Sequence, residues 1–303
     1  MINYLLFGLL SLFWGGSFVA IKYLIEDIPS FTAAFYRVFF AIIFLFIIYR
    51  NKLSLPIGWW GRELFFASVA GLCSIGIPFS LLFWGERFVS PSIAGILNGT
   101  VPFWTLIISI LFFGGGKDIT KKKILGLVMG VSGLAFIFGP KLSLSGNMEE
   151  VYGLVALVVM ALFYSVGINL NKKILSHNKI IVKSVNTIIQ QVVSLIYLCI
   201  ILLIVDGVPD FSLLVKTQNY LSVIYLSLFS TCFAFIIFYR LIDVFGAVKA
   251  STVTFFVPPI ALLLDGLIYG RRLSLYESLG ALIIILSMFM LKEQKKSSTS
   301  VLK

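Results

Sequence analysis

The sequence predicts an all-α membrane protein with ten transmembrane helices, arranged as two inverted five-helix repeats. Three observations support this prediction. Of the 303 residues, 59% are hydrophobic and only 12% are charged, whereas soluble domains carry about 25% charged residues. Ten separate apolar runs approach the length of about 20 residues that a helix needs to cross a bilayer. Short motifs in the first five runs also recur in the last five.

The ten apolar runs are separated by short segments that are polar or contain glycine or proline. Helices are expected because lipid cannot satisfy the open edge of a sheet. The first run is expected to be retained, because no Lys or Arg precedes it and the bulky Phe18 stands where signal cleavage needs a small residue. The predicted spans are residues 4–24, 30–49, 64–84, 89–113, 123–139, 151–171, 184–205, 220–240, 247–269 and 275–291.

The distribution of charge predicts the orientation. With both termini in the cytoplasm, 17 of the 24 Lys and Arg residues lie in cytoplasmic segments and 6 lie in outer segments. This excess follows the positive-inside rule. The net charge of +11 therefore indicates topology and does not indicate a nucleic-acid-binding surface, because the cations occupy short loops. The expected location is the cell inner (plasma) membrane.

A duplication is indicated by residues that recur about 150 positions apart. Leu12-Phe13-Trp14 recurs as Leu162-Phe163-Tyr164. In the fourth and ninth spans, a second set recurs in the same order: Ala94, Asn98, Pro102 and Gly114 match Ala250, Thr254, Pro258 and Gly270. A unit with five spans enters the membrane upside down when it is repeated, an arrangement typical of secondary transporters. The predicted organisation is a repeat at 1–140, a second at 151–291, and a cytoplasmic tail at 292–303.

The segment from Phe13 to Lys22 (Phe-Trp-Gly-Gly-Ser-Phe-Val-Ala-Ile-Lys) resembles the opening signature of the EamA-type drug/metabolite transporters. Arg37 and the Ala-x3-polar-x3-Pro pattern of the fourth and ninth spans fit the same family. The resemblance covers nearly the whole chain and implies a ten-helix carrier with a central cavity between its halves. One departure is Gly114-Gly115 and Gly270-Arg271, where members of the family often have Gly-Glu.

Candidate substrate-binding residues lie near the middle of the fourth and ninth spans. Pro102 and Pro258 lack an N–H, so each frees the carbonyl four residues earlier and kinks its helix. The freed carbonyls belong to Asn98 and Thr254. We expect these four residues to face the cavity; the alternative is a structural kink whose polar groups are satisfied by neighbouring side chains or water.

Four further residues complete the candidate binding set and its surroundings. Trp14 and Tyr164 are repeat mates that could form opposed walls against a flat or apolar solute, with helix packing as the alternative. Ser17 belongs to the same signature, and Asn169 lies near the inner end of the sixth span. Asn171, Gln190 and Gln191 are weaker polar candidates. The two glutamines point in different directions on a helix, so at most one is expected to face the cavity.

Two ionisable residues are predicted within the membrane. Arg37 and Asp265 lie at similar depths near the outer ends of their spans, and an ionisable group at such a depth seeks a partner. We expect them to pair or to share an outer vestibule. Asp265 is the leading candidate for proton coupling, unless it lies at the membrane surface without a special role.

The best-supported function is secondary transport of small neutral, zwitterionic or aromatic solutes by alternating access, with export as the expected direction. No cofactor or metal is expected. An intramembrane enzyme is disfavoured because the single histidine, His177, lies in a loop and only one carboxylate is predicted within a span. A receptor or scaffold remains as an alternative that leaves the repeat unexplained. The Gly95-x3-Gly99 and Gly126-x3-Gly130 patterns indicate either internal packing or a homodimer contact.

Overall fold

The computed structural model describes residues 2–51, 61–89, 91–114, 120–138, 148–175, 180–260 and 274–291. Every regular element within these ranges is helical, as the sequence predicts. The helices, numbered in chain order, are α1 Ile2–Asp27, α2 Ser30–Tyr49, α3 Arg62–Gly85, α4 Ile93–Phe113, α5 Lys121–Phe138, α6 Met148–Leu175, α7 Lys183–Val205, α8 Thr217–Phe245, α9 Ala247–Ile260 and α10 Leu275–Leu291.

Seven helices of the described part of the chain are long and apolar enough to cross a membrane: α1 to α4 and α6 to α8. The other three coincide with predicted spans but are shorter or more charged. Helix α5 has 18 residues and opens with three lysines, and α10 has 17 residues. Helix α9 is described only as far as Ile260. The chain is therefore a multi-pass membrane protein, with seven of its ten predicted spans meeting these criteria.

Five of the ten helices are locally irregular. Helix α1 is interrupted at Gly16 and α4 at Thr100. Helices α3 and α8 contain π-helical turns at Leu72–Gly76 and Tyr225–Phe233. Helix α9 is interrupted at Thr252, and the kink predicted at Pro258 stays a prediction. The reason is local, because the hydroxyl and the N–H of Thr252 both donate to the carbonyl of Lys249 and tighten the turn there.

Side-chain contacts show which helix ends lie together, and they define two opposite ends of the molecule. On one side, Lys183 at the start of α7 pairs with Asp243 near the end of α8, and Lys249 in α9 lies over the rings of Tyr4 and Phe245. We call this the cation-rich end. At the opposite end, the Asp206 carboxylate after α7 accepts hydrogen bonds from the backbone N–H (2.8 Å) and the hydroxyl (3.0 Å) of Thr32, and Lys216 pairs with Asp27 at 2.6 Å.

Small residues allow close packing within the chain. A Cβ added at Gly133 in α5 would lie 2.7 Å from the side chain of Ile284 and 2.9 Å from the Gly280 carbonyl, both in α10. A Cβ at Gly99 would meet Leu134, and a Cβ at Gly130 would meet Phe255. The glycine patterns of α4 and α5 therefore serve internal packing at these positions, the first of the two predicted alternatives.

Among the glycines of the described residues, Gly71 has the closest backbone neighbour, at the crossing of α3 and α7. A Cβ there would lie 2.6 Å from the Cα atom and 2.7 Å from the carbonyl oxygen of Gln190. We expect Gly71→Ala to lower the thermal unfolding temperature of the detergent-solubilised protein, because overpacking costs about 1–3 kcal/mol. The matched control is Gly8→Ala in α1, where a Cβ meets nothing within 4 Å. An equal effect of the two variants would contradict the role of this crossing.

Candidate functional site

A cavity lies between helices from both halves of the chain. Its floor and walls come from α1, α2, α3, α4, α6, α8 and α9. The residues that line it are Trp14, Ser17, Phe18, Arg37, Ser74, Phe79, Leu82, Asn98, Val101, Tyr164, Ile168, Phe235, Phe238 and Thr254.

Aromatic side chains form most of the cavity wall. The indole N–H of Trp14 donates to the carbonyl of Ser230 in α8 at 3.2 Å, which fixes the plane of the ring. The Trp14 ring lies edge-on to Phe238 and Phe235, with centroids 5.0 and 6.3 Å away. Tyr164 contributes from α6. The repeat mates Trp14 and Tyr164 thus line the same cavity, and the wall offers flat surfaces for an apolar or aromatic group.

The Gly15-Gly16 pair explains why α1 approaches this wall so closely. A Cβ at Gly16 would lie 2.3 Å from the hydroxyl oxygen of Tyr225, and one at Gly15 would lie 2.8 Å from Ile260. The Tyr225 hydroxyl donates to the carbonyls of Leu12 and Phe13, at 3.3 and 3.0 Å. Small residues at the interruption of α1 therefore let α8 and α9 dock against it and hold Trp14 in place.

Three neutral polar residues of the predicted set also line the cavity. The Ser17 hydroxyl donates to the Trp14 carbonyl at 2.7 Å, and the Thr254 hydroxyl donates to the Ser251 carbonyl at 3.0 Å. Each hydroxyl oxygen keeps its acceptor capacity for a ligand. Asn98 lies opposite in α4, so the repeat mates Asn98 and Thr254 lie in the same cavity.

Arg37 is the charged residue among those that line the cavity, and only 2% of its surface is exposed. Its Nε donates to the Thr231 hydroxyl at 2.7 Å, and its Nη2 donates to the Ser230 carbonyl at 3.0 Å. Its guanidinium carbon lies 4.0 Å from the centroid of the Phe79 ring. These bonds use two of the five guanidinium N–H donors. No carboxylate in the described part of the chain forms an ion pair with Arg37, so the cavity holds a positive charge with donors to spare.

Three of the predicted binding residues lie outside the cavity lining. Pro102 and Pro258 are buried in helix packing. Asn169 is 1% exposed, and its side-chain amide donates to the carbonyls of Thr105 and Ser165, both at 3.0 Å. It therefore joins α6 to α4 and does not line the cavity, and its predicted role in substrate binding stays a prediction. Asp265 lies outside the described residues, so its predicted pairing with Arg37 stays a prediction.

Beneath the cavity, toward the cation-rich end, buried polar side chains form a network that joins four helices. The amides of Asn171 and Gln190 bond reciprocally, with Gln190 Nε2 donating to Asn171 Oδ1 at 2.7 Å. Asn171 also donates to the Ser74 hydroxyl at 3.1 Å, and Tyr239 donates to Gln190 Oε1 at 2.6 Å. Asn186 donates to Asn171 at 3.2 Å. Neither glutamine lines the cavity. The sequence marks these residues as polar but gives no information on which helices adjoin.

One buried ionisable residue escapes the sequence analysis altogether. Glu86 follows the last residue of α3, where an interfacial loop is predicted, yet only 7% of its surface is exposed. The available signal is its spacing: Glu86 lies four and seven residues after Leu82 and Phe79, on the helix face that borders the cavity.

These features define the class of protein: an all-helical, multi-pass membrane protein whose helices enclose an aromatic-walled cavity that the buried cation Arg37 lines. The EamA-like transporter family matches the chain twice, over residues 1–139 and 151–292. The chain therefore belongs to the EamA-like transporter family, as its opening signature predicts.

Individual relatives cover nearly the whole chain. The uncharacterized transporter YoaV of Bacillus subtilis (strain 168) is 29% identical over 283 residues, which span 92% of this chain and 93% of the relative. The probable amino-acid metabolite efflux pump of Escherichia coli (strain K12) is 25% identical over 285 residues, spanning 91% and 90%. A solved crystal structure, described only as that of a protein, superposes with a TM-score of 0.72 and 15% identity over 95% of each chain. This last likeness concerns the fold alone.

Proposed function

We propose that the protein is a secondary carrier that exports zwitterionic amino acids or related metabolites with an apolar or aromatic side chain. The carrier works by alternating access between two inverted five-helix halves. The solute carboxylate binds the Arg37 guanidinium, and its side chain packs against the aromatic wall of Trp14, Tyr164 and Phe238. The observation that carries this proposal is a buried arginine, without a carboxylate partner in the described part of the chain, inside an aromatic cavity.

The packing of the helices supports the inverted arrangement. Helix α1 begins at the cation-rich end, where Tyr4 meets Lys249, and ends where Asp27 meets Lys216. Helix α6 runs the opposite way, because Lys173 near its end lies over Phe66 at the start of α3, and Gly153 near its start packs on Phe88. Each half also has a π-helical turn in its third helix. Two halves of opposite direction can exchange conformations, which gives alternate access to one central site.

The chemistry of the cavity supports the solute class. An arginine offers a planar fork that matches a carboxylate, and such charge-assisted bonds are stronger in a water-poor site. Among the described residues that line the cavity, Arg37 is the only cation, so a multiply charged phosphate would find one partner there where it needs several. The hydroxyls of Ser17 and Thr254 and the amide of Asn98 can accept from the solute ammonium group.

The relatives support the proposed direction of transport and the proposed location in the plasma membrane. One relative is described as an efflux pump for amino-acid metabolites, which favours export across the plasma membrane. The excess of Lys and Arg in loops of the cation-rich end favours a cytoplasmic location for this end and for both termini.

A ligand panel on purified protein tests the proposed solute class. We expect L-phenylalanine and L-leucine to raise the thermal unfolding temperature, because binding to the folded state adds RT ln(1 + [L]/Kd) to its stability. The amide L-phenylalaninamide is the matched control and should stabilise much less. Proteoliposomes should then release radiolabelled L-phenylalanine faster than protein-free vesicles. Binding without solute flux would support a receptor or scaffold and contradict a carrier.

A further inference from the structure

Glu86 is a buried carboxyl group to which the structure gives no hydrogen-bonding partner. It is 7% exposed, and neither of its oxygen atoms accepts or donates a hydrogen bond. Four other carboxylates of the described part of the chain have partners: Asp27 has Lys216, Asp206 has Thr32, Asp210 has the N–H of Ser212, and Asp243 has Lys183. Glu86 therefore needs a different explanation.

Protonation of the Glu86 carboxylate explains how it can be buried without a partner. An ionised carboxylate that is buried without partners costs several kcal/mol, and such a group binds a proton instead. Burial raises the pKa of Glu86 well above its usual value, and the nearby positive charge of Arg37 opposes this rise only in part. With a raised pKa, Glu86 is neutral over more of the pH range and ionises only as the pH rises.

The position of Glu86 connects it to the cavity cation. Glu86 lies two turns beyond Phe79, on whose ring the Arg37 guanidinium rests, and one turn beyond Leu82, which also lines the cavity. Arg37 in α2 and the phenol of Tyr164 in α6 are the titratable groups of neighbouring helices that interact electrostatically with it. The groups that pack on the preceding Gly85, Leu157 and the Gly153 carbonyl of α6, carry no charge.

We propose that Glu86 is the proton-binding site of the carrier and that its ionised form competes with the solute carboxylate for Arg37. This inference rests on the proposed function. When Glu86 is protonated, the Arg37 charge is free to bind the solute. When Glu86 loses its proton, its negative charge neutralises Arg37, and solute affinity falls.

The direction of coupling follows from this competition. The proton and the solute carboxylate bind together and leave together, so both cross the membrane in the same direction. Export of a solute down its own gradient then carries protons outward, and solute affinity decreases as the pH rises above the pKa of Glu86, by at most tenfold per pH unit.

Proteoliposomes that contain a pH-sensitive dye test the coupling. Vesicles loaded with L-phenylalanine and diluted into solute-free buffer should become alkaline inside as the wild-type protein releases the solute. Glu86→Gln mimics the protonated form and should release L-phenylalanine without changing the internal pH. Its affinity for L-phenylalanine should also be constant over the pH range in which the wild-type affinity falls. Glu26→Gln, which alters an exposed carboxyl group near the end of α1, is the matched control and should behave as wild type.

A second measurement needs no variant. Titration of the wild-type protein with L-phenylalanine in weakly buffered solutions, over the pH range in which its affinity falls, should show net proton uptake on binding. Absence of proton uptake, or internal alkalinisation that persists in Glu86→Gln, would overturn the assignment of Glu86 while leaving the carrier intact. Absence of L-phenylalanine flux in the wild-type protein would instead overturn the proposed function, and this inference with it.

Discussion

Replacing Arg37 with glutamine is expected to weaken the binding of L-phenylalanine about 100-fold, while the affinity for L-phenylalaninamide changes little. The reason is the loss of a charge-assisted contact to the solute carboxylate, because a hydrogen bond to a charged group contributes about 1.5–3 kcal/mol and about 1.4 kcal/mol is a tenfold change in affinity. The measurement is the ratio of the two dissociation constants, determined by titration calorimetry on purified protein.

The ratio separates binding from folding. Arg37 also bonds to Thr231 and Ser230 and rests on Phe79, so its replacement will reduce stability as well. A loss of folded protein lowers the apparent affinity for both ligands equally and leaves their ratio unchanged. Arg37→Lys should give an intermediate ratio, because lysine keeps the charge without the planar fork. Arg62→Gln, at the exposed start of α3, is the control. An unchanged ratio in Arg37→Gln would show that another group binds the carboxylate.

The sequence predicts the helical architecture well because lipid imposes it. Apolar runs of about 20 residues have one stable conformation in a bilayer, and the structure has a helix at each of the ten runs. Seven of these helices meet the length and hydropathy criteria for a membrane span; α5 opens with three lysines, and α9 is described only to Ile260, so the prediction of ten spans stays a prediction. Hydropathy averages over a window and does not show where backbone geometry interrupts a helix, as at Thr252.

Residues that line the cavity could be predicted from the sequence at positions where the two halves of the chain carry related residues. Trp14 with Tyr164, and Asn98 with Thr254, were paired by the repeat, and each pair lies in the cavity. Asn169 has no such mate, and its side chain bonds instead to Thr105 in α4. A single polar residue in an apolar run does not reveal whether a neighbouring helix or a solute satisfies it.

The burial of Glu86 could not be predicted from the sequence, for a different reason. Its place after the third apolar run assigns it to a loop, where carboxylates are normally solvated. Its helix end packs against α6, at residues about 70 positions away in sequence. Long-range packing of this kind leaves no local pattern in the sequence.

The adjacent residues Gln190 and Gln191 are expected to respond oppositely to the same substitution. Both are completely buried in α7. Gln190 bonds to Asn171 and Tyr239, whereas neither polar atom of the Gln191 side chain has a hydrogen-bonding partner. Gln190→Leu should lower the stability of the folded protein by about 2 kcal/mol, because it leaves the Tyr239 hydroxyl without its acceptor and removes a bond to Asn171. Gln191→Leu should leave stability unchanged or increase it, because it removes an unpaired buried amide.

Thermal unfolding of the two variants in the same detergent measures this difference, and each variant is the control for the other. Leucine keeps the Cβ and Cγ atoms of glutamine, so the approach of α7 to Gly71 is retained in Gln190→Leu. Tyr239→Phe should have a smaller effect than Gln190→Leu, since Gln190 then still bonds to Asn171. Similar losses for both glutamines would mean that shape alone decides at these positions and that the network contributes nothing specific. An effect confined to Gln190 would establish that hydrogen bonds hold α3, α6, α7 and α8 together between the cavity and the cation-rich end, where a carrier must separate them to open.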